Sequence, residues 1–465
     1  MMELLNKQVV VVGLARTGVA VCRFLKGRGA RVIVTDSATA RELEPFIQQL
    51  RGLDIPMELG GHQIDTFEKS DLVVLSPGVP HTILPVRRAM DRGVPVLGEM
   101  ELASRYISQP VVAVTGTNGK TTTTELLGKM LACSGLKVFV GGNIGTPLIE
   151  FVTRQERADV VVAEVSSFQL DTIGEFKPKV GVLLNVTEDH MDRYPDFESY
   201  ARSKYRIFEN QRPEDVAVIN GADVRIRAAC DRIRSRKLFF NAAGQEEAGA
   251  RLNGTRIIFD LKDQAVTARG KSSKPECLYF ENTGLTGRHN MENAAAATLA
   301  ALAAGASLKG AQAALNDFKG LPHRLEYVDT LNGVAFYNDS KATNADAVIR
   351  ALEAMNRPVI LIMGGQGKGC DFSVLQEPIR RRVKKLVVMG EAAAGLLSAL
   401  AQAAPTATAV SMEDAVSKAY RAAASKDAVL LSPGCASFDM FHDYAHRGEV
   451  FCATIQQLKR DHARK

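Results

Sequence analysis

Short runs of valine, isoleucine and leucine recur along the chain, and each is followed by a turn and then by a helical pattern. They form three series. The first holds QVVVVGLARTG, ARVIVTD and DLVVLSPG (8–78), the second PVVAVTG, ADVVVAEVSS and KVGVLLNV (110–186), and the third RPVILIMGG, KKLVVMG and AVLLSPG (357–434). Continuous apolar strands that alternate with helices are typical of parallel sheets covered on both faces. The sequence therefore predicts three α/β units.

The predicted domain boundaries lie near two glycines, which divides the chain into residues 1–98, 99–319 and 320–465. Residues 244–283 are polar and alternating, and TRIIFDL and CLYF within them are candidate strands of a small antiparallel part. We therefore predict a Rossmann-like N-terminal domain, a central P-loop ATPase-like domain with a mostly parallel sheet and a small antiparallel part, and a Rossmann-like C-terminal domain.

Charge and cysteine content restrict the class of protein. The net charge of +6 is spread over 58 basic and 52 acidic residues without a long basic block, which argues against nucleic acid as the main partner. The seven cysteines are scattered and never spaced as CxxC, so we expect reduced thiols in the cytoplasm. No apolar run approaches the roughly 18 residues of a spanning helix, so we expect no membrane partner. We also expect a monomer.

The stretch VAVTGTNGKTTTTEL (112–126) has the features of a phosphate-binding loop between a strand and a helix. Gly116, Asn118 and Gly119 would let backbone N–H groups point inward, Lys120 adds a charge for the phosphates, and Thr121 a hydroxyl for Mg²⁺. The stretch departs from the Walker A spacing because valine stands where the first glycine is expected. It still predicts a nucleotide site.

The N-terminal turn VVGLARTG resembles a dinucleotide fingerprint. Gly13, Ala15 and Gly18 follow the first strand, and Asp36 ends the next one. Ala15 replaces the glycine that should approach a pyrophosphate most closely. Three interpretations stay open: an NAD site, a site for another diphosphate, or a tight turn without a ligand.

Acidic residues and a histidine follow two strands of the second series. Glu164 ends ADVVVAEVSS, where it would be either a magnesium ligand or an acid exposed to water. The loop after KVGVLLNV contains a carboxylate and histidine cluster, which suits metal binding, proton transfer or a structural role; its members are Glu188, Asp189, His190 and Asp192. Composition alone predicts that Lys204, in YARSKYRIF, is a surface lysine.

Three loops of the third series expose hydroxyl, amide and ammonium groups. NDSKATN (338–344), GGQGKG (364–369) and SPGCASFD (432–439) each follow an apolar run, and they contain Lys341, Thr343, Lys368 and Ser437. Together these groups suit a small dianion, although no single loop is specific.

Seven motifs in order give the chain a family resemblance: GTNGKT, EVSSFQL, NVTEDHMDRY, ARSKYRIF, GRHNMEN, LPHR and NDSKATN. The set resembles the Mur ligase family over the whole chain, and GTNGKT is that family's form of the loop. The resemblance implies a cytoplasmic ATP-dependent carbon–nitrogen ligase of peptidoglycan precursor synthesis, which serves cell wall biogenesis, cell shape and cell division. Its first domain would bind the UDP part of the substrate, its second ATP, and its third the amino acid. The C-terminal motifs imply that D-glutamate is joined to UDP-N-acetylmuramoyl-L-alanine through an acyl phosphate.

The resemblance also implies roles for individual residues. For ATP they are Gly116, Thr117, Asn118, Gly119, Lys120, Thr121, Thr122, Asn290, Asn293, Arg324 and Asp339. For the UDP substrate they are Gly13, Arg16, Thr17, Asp36, Ser37, Ser76, Gly78 and Asn143. For the amino acid they are Lys341, Thr343, Lys368, Ser437, Phe438 and Tyr444, although the family pattern does not require tyrosine at 444.

Two magnesium ions are implied as cofactors, with Thr121, Glu164, His190 and a carbamylated Lys204 as their ligands. The residues implied in catalysis are Lys120, Glu164, His190, Lys204 and Asn143. Carbamylation would convert Lys204 from an ammonium into an anionic metal ligand, which reverses the interpretation from composition.

Other functions stay open at this point. Another Mur-type ligase that adds a different amino acid, or a folylpolyglutamate synthase, would keep the middle domain. The N-terminal turn alone also suits an NAD-dependent oxidoreductase, and the phosphate loop alone suits an ATP-hydrolysing switch protein.

Overall fold

The computed structural model describes residues 2–241, 248–261, 276–281, 283–367 and 371–463. In these ranges the strands form three separate sheets. The fold is mixed α/β with mostly parallel sheets, as the sequence predicted.

The first sheet has five parallel strands in the order β3-β2-β1-β4-β5. Its central strand is almost entirely valine and is buried, which a strand covered on both faces requires. The strands are β1 (Gln8–Val12), β2 (Arg31–Asp36), β3 (Met57–Leu59), β4 (Leu72–Leu75) and β5 (Val96–Gly98). The helices between and after them are α1 (Arg16–Gly27), α2 (Ala40–Ile47), α3 (Ile64–Glu68), α4 (Leu84–Asp91) and α5 (Glu99–Ser104).

The second sheet has nine strands within the described residues. They are β6 (Val111–Thr115), β7 (Val138–Gly142), β8 (Val160–Glu164), β9 (Val180–Leu183), β10 (Val216–Asn220), β11 (Arg236–Phe240), β12 (Gly249–Asn253), β13 (Arg256–Asp260) and β14 (Glu276–Tyr279). Their order is β14-β13-β12-β11-β10-β9-β6-β8-β7, and only the β12–β13 and β13–β14 pairs are antiparallel. The predicted antiparallel part is therefore confirmed.

Helices accompany this second stretch of chain. They are α6 (Lys120–Ala132), α7 (Leu148–Arg154), α8 (Ser167–Leu170), α9 (Phe197–Tyr205), α10 (Val224–Ala229), α11 (Arg288–Ala303) and α12 (Leu308–Asp317). The alanine-rich α11 buries ten consecutive residues, Asn293 to Leu302, since small side chains let neighbouring elements approach it closely.

The third sheet has six strands in the order β15-β16-β20-β17-β18-β19, and only β15 is antiparallel to its neighbour. The strands are β15 (Glu326–Leu331), β16 (Val334–Asn338), β17 (Val359–Gly364), β18 (Val383–Met389), β19 (Thr406–Thr408) and β20 (Ala428–Leu431). The helices are α13 (Ala345–Ala354), α14 (Gln376–Arg382), α15 (Ala393–Leu400), α16 (Met412–Ala422) and α17 (Tyr444–Ala463). Short 3₁₀ turns lie at Gln48–Leu50, Arg206–Phe208, Cys230–Arg232 and Phe372–Leu375.

Strand β17 shows why the third sheet is covered on both faces. Val359, Leu361 and Met363 pack into one hydrophobic cluster, while the alternate residues Ile360 and Ile362 pack into another. Successive side chains of a strand point to opposite faces, so an uninterrupted apolar strand requires a core on each side.

The chain divides into two compact units. The first comprises Met1–Val186, Ala201–Phe280 and Asn293–Leu315 and contains the first two sheets. The second comprises Thr187–Tyr200, Glu281–Glu292 and Asn316–Lys465 and contains the third. Within the described ranges, no helix combines the length and the apolar character needed to cross a bilayer.

Candidate active site

The phosphate-loop candidate lies between β6 and α6 in the first unit. Gly116 and Gly119 adopt φ angles of 156° and 84°, and a Cβ at Gly119 would lie 2.4 Å from Asn293 Oδ1. Glycine is therefore required there both by conformation and by space. Asn293 thus lies against the loop, where the family resemblance expects an ATP-binding residue.

Asn185, directly after β9, holds this loop in shape. The N–H groups of Thr117 and Asn118 donate to its main-chain O (3.0 Å) and its Oδ1 (2.9 Å). Its Nδ2 donates in return to Asn118 O (3.0 Å). The Asn118 N–H is therefore engaged within the protein, contrary to the predicted inward-facing position. Sequence reasoning assigned no role to Asn185, although it is the first residue of the motif NVTEDHMDRY and closely follows a central strand.

Two lysines meet at the same carbonyl of the loop. Lys120 Nζ donates to Gly116 O (2.9 Å) and Thr117 O (2.7 Å), and Lys204 Nζ donates to Gly116 O (2.8 Å). Lys204 is only 2% exposed, so the interpretation from composition, a surface lysine, is wrong. The preceding residue, Ser203, is also buried and donates to Ser167 O (2.7 Å), which fixes this face of α9 toward the interior.

Glu164, at the end of β8, has one carboxylate oxygen engaged and one without a partner. Its Oε1 accepts from Asn143 Nδ2 (2.8 Å), and its main-chain O accepts from the Asn143 N–H (2.9 Å). Its Oε2 is buried and has no hydrogen-bond partner. Burial and the charge of Glu164 raise the pKa of Glu125, one turn beyond Thr121 on α6. A buried carboxylate oxygen without a donor suits a cation.

These residues fit a magnesium ion shared with a nucleotide. Among the residues that the structure describes, no group of three or more His, Cys, Asp or Glu has the arrangement of a metal cluster. Mg²⁺ at nucleotide phosphates requires no such cluster, because it keeps several waters and takes only one or two carboxylates from the protein. Glu164 and the half-buried Thr121 supply the expected oxygen types.

The loop after β1 is held by Asp36, the last residue of the neighbouring strand β2. Asp36 accepts from the N–H groups of Leu14 (2.6 Å) and Ala38 (2.8 Å), and Ser76 Oγ donates to Gly13 O (2.8 Å). A Cβ at Gly18 would lie 2.1 Å from Gly13 O, so α1 can approach the turn only with glycine there. Of the other predicted UDP-substrate contacts around the first sheet, Thr17 is half-buried, and Arg16, Ser37 and Gly78 are exposed.

In the second unit the acid–histidine cluster is anchored to a loop of the third sheet. Asn344 Nδ2 donates to Asp189 Oδ2 (3.0 Å), and Asp189 Oδ1 accepts from the His190 N–H (2.9 Å). His190 has a φ of 58°, which is uncommon for a residue other than glycine. His190 belongs to the second unit, whereas Thr121, Glu164 and Lys204 belong to the first.

Asp339, a predicted ATP contact, has a strongly raised pKa. Burial raises the pKa of Asp339 to about 7, although hydrogen bonds from Ser432 Oγ (2.8 Å) and the Leu325 N–H (3.1 Å) and the charge of Arg324 oppose the rise. Asn290 donates from Nδ2 to Thr286 O (2.8 Å), one turn earlier.

The residues predicted to bind the amino acid lie in loops of the third sheet, and the NDSKATN loop contacts Tyr444 in the first turn of α17. Lys341 Nζ lies 3.5 Å from the centre of the Tyr444 ring, a cation–π contact, and Ser340 Oγ donates to Tyr444 O (2.8 Å). Ser437 is buried, whereas the adjacent Phe438 is 69% exposed. Thr343 is half-buried, and Lys368 lies outside the described residues.

Arg447 is the residue of this region that sequence reasoning missed. Its guanidinium is 1% exposed and donates to Ser340 O (2.8 Å), to Cys435 O (3.1 Å from both terminal nitrogens), and to Gly364 O (3.3 Å) and Ala436 O (3.2 Å). These acceptors come from all three predicted amino-acid loops. Burial lowers the pKa of Arg447 to about 10.

Chemically, the first unit combines a glycine-rich loop at a helix N-terminus, lysine ammonium groups and a carboxylate with an unpaired oxygen. This combination can bind polyphosphate and offset the charge that develops in phosphoryl transfer.

Comparison with known proteins identifies the family. Three family models match in order: the MurD-like N-terminal domain of Mur ligases over residues 7–98, the Mur ligase middle domain over 114–301, and the Mur ligase glutamate ligase domain over 323–435. A protein of Desulfosudis oleivorans named UDP-N-acetylmuramoylalanine–D-glutamate ligase is 52% identical over 99% of this chain and 98% of its own. One of Desulfatibacillum aliphaticivorans with the same name is 50% identical over 98% of this chain and 100% of its own.

A solved structure agrees on the fold. The MurF ligase of Thermotoga maritima in complex with ADP superposes with a TM-score of 0.60, at 18% identity, over 99% of this chain and 96% of its own. The family models cover most of the sequence, and the two relatives match it almost from end to end. The chain therefore belongs to the Mur ligase family.

Proposed function

We propose that the chain joins D-glutamate to UDP-N-acetylmuramoyl-L-alanine and converts ATP to ADP and phosphate, in the synthesis of peptidoglycan precursors. The observation that carries the proposal is the near full-length identity of 52% and 50% to relatives that bear this ligase name. In this assignment residues 1–98 bind the nucleotide-sugar, 99–319 bind ATP, and 320–465 bind the amino acid. We also propose a cytoplasmic monomer.

The first step is phosphoryl transfer to a carboxylate. The terminal carboxylate of the L-alanyl substrate attacks the γ-phosphorus of ATP, an oxygen–phosphorus bond forms, and the bond to ADP breaks. An anion attacking a polyanion needs cationic surroundings, and Lys120 supplies one at the loop. Two magnesium ions, when bound, would offset phosphate charge: Thr121 and Glu164 would hold the first, and His190 is the proposed ligand of the second. Asn143, fixed by its bond to Glu164, orients the substrate.

Lys204 contributes to the metal site only after modification. In the proposed step its neutral Nζ attacks CO₂, a nitrogen–carbon bond forms, one oxygen takes the electron pair, and a proton leaves to solvent. The resulting carbamate can ligate Mg²⁺, whereas an ammonium cannot. The 2% exposure of Lys204 and its place at Gly116 O support this proposal, because a buried lysine beside a phosphate loop would otherwise add only a second cation.

The second step is amide formation. The amine of D-glutamate attacks the acyl carbon, and phosphate leaves through a tetrahedral intermediate. Thr343, Lys368, Ser437, the Phe438 N–H and Lys341 are the proposed carboxylate contacts. The cation–π contact with Tyr444 supports a fixed position for Lys341.

Amino-acid-dependent ADP release tests the function directly. The assay contains the protein, ATP, Mg²⁺ and UDP-N-acetylmuramoyl-L-alanine, with D-glutamate, L-alanine, L-lysine or meso-diaminopimelate added singly. Of the four amino acids, we expect only D-glutamate to cause ADP release. Release with another amino acid would assign a sister ligase, ATP hydrolysis that needs no amino acid would indicate a switch protein, and bound nicotinamide without ATP turnover would indicate an oxidoreductase.

A further inference from the structure

Helix α5, which follows the last strand of the first sheet, contains two fully buried carboxylates. Glu101 accepts from the N–H groups of Gly174 (2.9 Å) and Phe176 (2.9 Å) and from Arg105 Nε (2.9 Å). Glu99 accepts from the Ile149 N–H (2.7 Å) in the first turn of α7. A buried carboxylate is costly unless it is hydrogen-bonded, so each acid fixes the segment that donates to it.

The segment that Glu99 fixes leads to two parts of the proposed substrate site. Just before α7, Thr146 O accepts from the Gly142 N–H (2.9 Å), and the adjoining Asn143 is bonded to Glu164 through main chain and side chain. On α7 itself, Glu150 Oε1 lies 4.0 Å from Arg16 Nε in the first domain. The start of α7 therefore connects to Asn143 on one side and to Arg16 on the other.

The local charges make this contact sensitive to protonation. Burial, and secondarily the charge of Glu150, raise the pKa of Glu99 to about 7, while hydrogen bonds from the N–H groups of Ile149 and Leu148 oppose the rise. Glu101 is on the same helix but faces Arg105 and residues 174–176. An ionised carboxylate accepts a hydrogen bond more strongly than a neutral one.

We propose that Glu99 is a positioning residue for the nucleotide-sugar substrate: through its bond to the start of α7 it sets Asn143 and Arg16. This inference rests on the proposed function. It predicts that affinity for UDP-N-acetylmuramoyl-L-alanine falls when the Glu99 carboxylate is removed or protonated, and that it falls by more than the affinity for ATP, because Arg16 and Asn143 are both proposed contacts of the nucleotide-sugar.

The test compares Glu99→Ala and Glu99→Gln with the matched control Glu101→Gln, the same change in a second buried acid of the same helix. Calorimetry measures the Kd of UDP-N-acetylmuramoyl-L-alanine without ATP, and thermal unfolding checks the fold. At pH 8.5 we expect the Kd to rise about tenfold in Glu99→Ala and about threefold in Glu99→Gln, in line with a lost charge-assisted hydrogen bond. We expect it to stay within twofold in Glu101→Gln, whatever that variant's Tm.

The pH profile separates positioning from a general loss of structure. The wild-type Kd should approach that of Glu99→Gln at pH 6, whereas the Glu99→Gln Kd should change less between pH 6 and 8.5. If Glu99→Ala does not fold, this comparison decides. An unchanged Kd in both Glu99 variants, an equal rise in Glu101→Gln, or an equal rise in the KM for ATP overturns the inference. The proposed function has its own readout: absence of D-glutamate-dependent ADP release by the wild-type protein would contradict that function and not the role of Glu99.

Discussion

Replacement of Arg447 tests whether one buried guanidinium assembles the amino-acid site. Arg447→Met keeps much of the length and apolar volume but removes every donor, whereas Arg447→Lys keeps the charge but not the planar fork. The loops it holds contain Ser340, Gly364 and Cys435. The proposed carboxylate contacts Lys341 and Ser437 lie within two residues of these anchors.

The size of the effect follows from two opposing terms. Burial lowers the pKa of the Arg447 guanidinium from 12.5 to about 10. This shift corresponds to a cost of about 3 kcal/mol for keeping the group charged in the interior, and the methionine variant does not have this cost. Arg447 Nε also donates to Ser340 Oγ (3.0 Å). Arg447→Met therefore leaves this oxygen and the four carbonyls without their donor, at about 1–3 kcal/mol for each buried acceptor that finds no substitute. The balance is a loss of about 3–5 kcal/mol for Arg447→Met, and about 2–3 kcal/mol for Arg447→Lys, which can satisfy some acceptors.

Thermal unfolding and steady-state kinetics check both parts of this prediction. A loss of about 3–5 kcal/mol corresponds to a Tm lower by roughly 8–15 °C for a unit of this size. Arg447→Lys, assayed well below its Tm, should raise the KM for D-glutamate about tenfold or more and leave the Kd of the UDP substrate unchanged. A Tm within about 1 °C of the wild type, or equal rises in the KM values for D-glutamate and ATP, would refute the reasoning.

Three further predictions concern other residues. Lys120→Ala should abolish acyl-phosphate formation, measured by trapping the intermediate with hydroxylamine, and retained formation would contradict the role assigned to this lysine. Lys204→Ala should lose activity and regain part of it with added short carboxylates such as formate; activity equal to the wild type without additives would exclude the carbamate. For Asp339, the folded-state pKa of about 7 lies above the ordinary 3.8, so the folded chain binds the proton more tightly and the free energy of unfolding falls as pH rises through that window. Asp339→Asn should therefore gain about 4 kcal/mol relative to the wild type between pH 4 and 8, measured by denaturant unfolding, and parallel pH profiles would contradict this.

Local sequence patterns were sufficient for the central strands of each sheet and for the position of the phosphate loop. Apolar runs followed by turns predict buried parallel strands, and each of the nine runs in the three series became one. The same information misplaced Lys204, because composition describes a residue's type and not its neighbours. Its burial depends on Ser203 bonding to the distant Ser167 and on Gly116 offering a carbonyl, and neither contact is encoded near Lys204 in the chain.

Polar contacts between residues far apart in the chain could not be predicted from the sequence. Asn185 holds a loop 67 residues earlier, and Arg447 holds one 107 residues earlier. In the sequence, one is an asparagine after a strand and the other an arginine in a charged helix, and both patterns are common. What marks them is burial combined with a full set of hydrogen bonds, which only the assembled fold provides.

The charge balance at the phosphate loop gives a reason why the proposed modification of Lys204 would matter. With both lysines protonated, Lys120 and Lys204 place two cations on Gly116 O, and Glu164 supplies one nearby anion. Such a site attracts polyphosphate but offers Mg²⁺ a single carboxylate ligand, Glu164. Conversion of Lys204 to a carbamate would leave one cation and two anions, so Lys120 would still face the phosphates while Glu164 and the carbamate offered oxygen ligands to the metal. The same loop would then bind both the metal and the phosphates of the Mg–ATP complex. Lys204→Gln removes the cation without adding an anion. The lost activity of this variant should therefore be restored more by added carboxylate than by raised Mg²⁺.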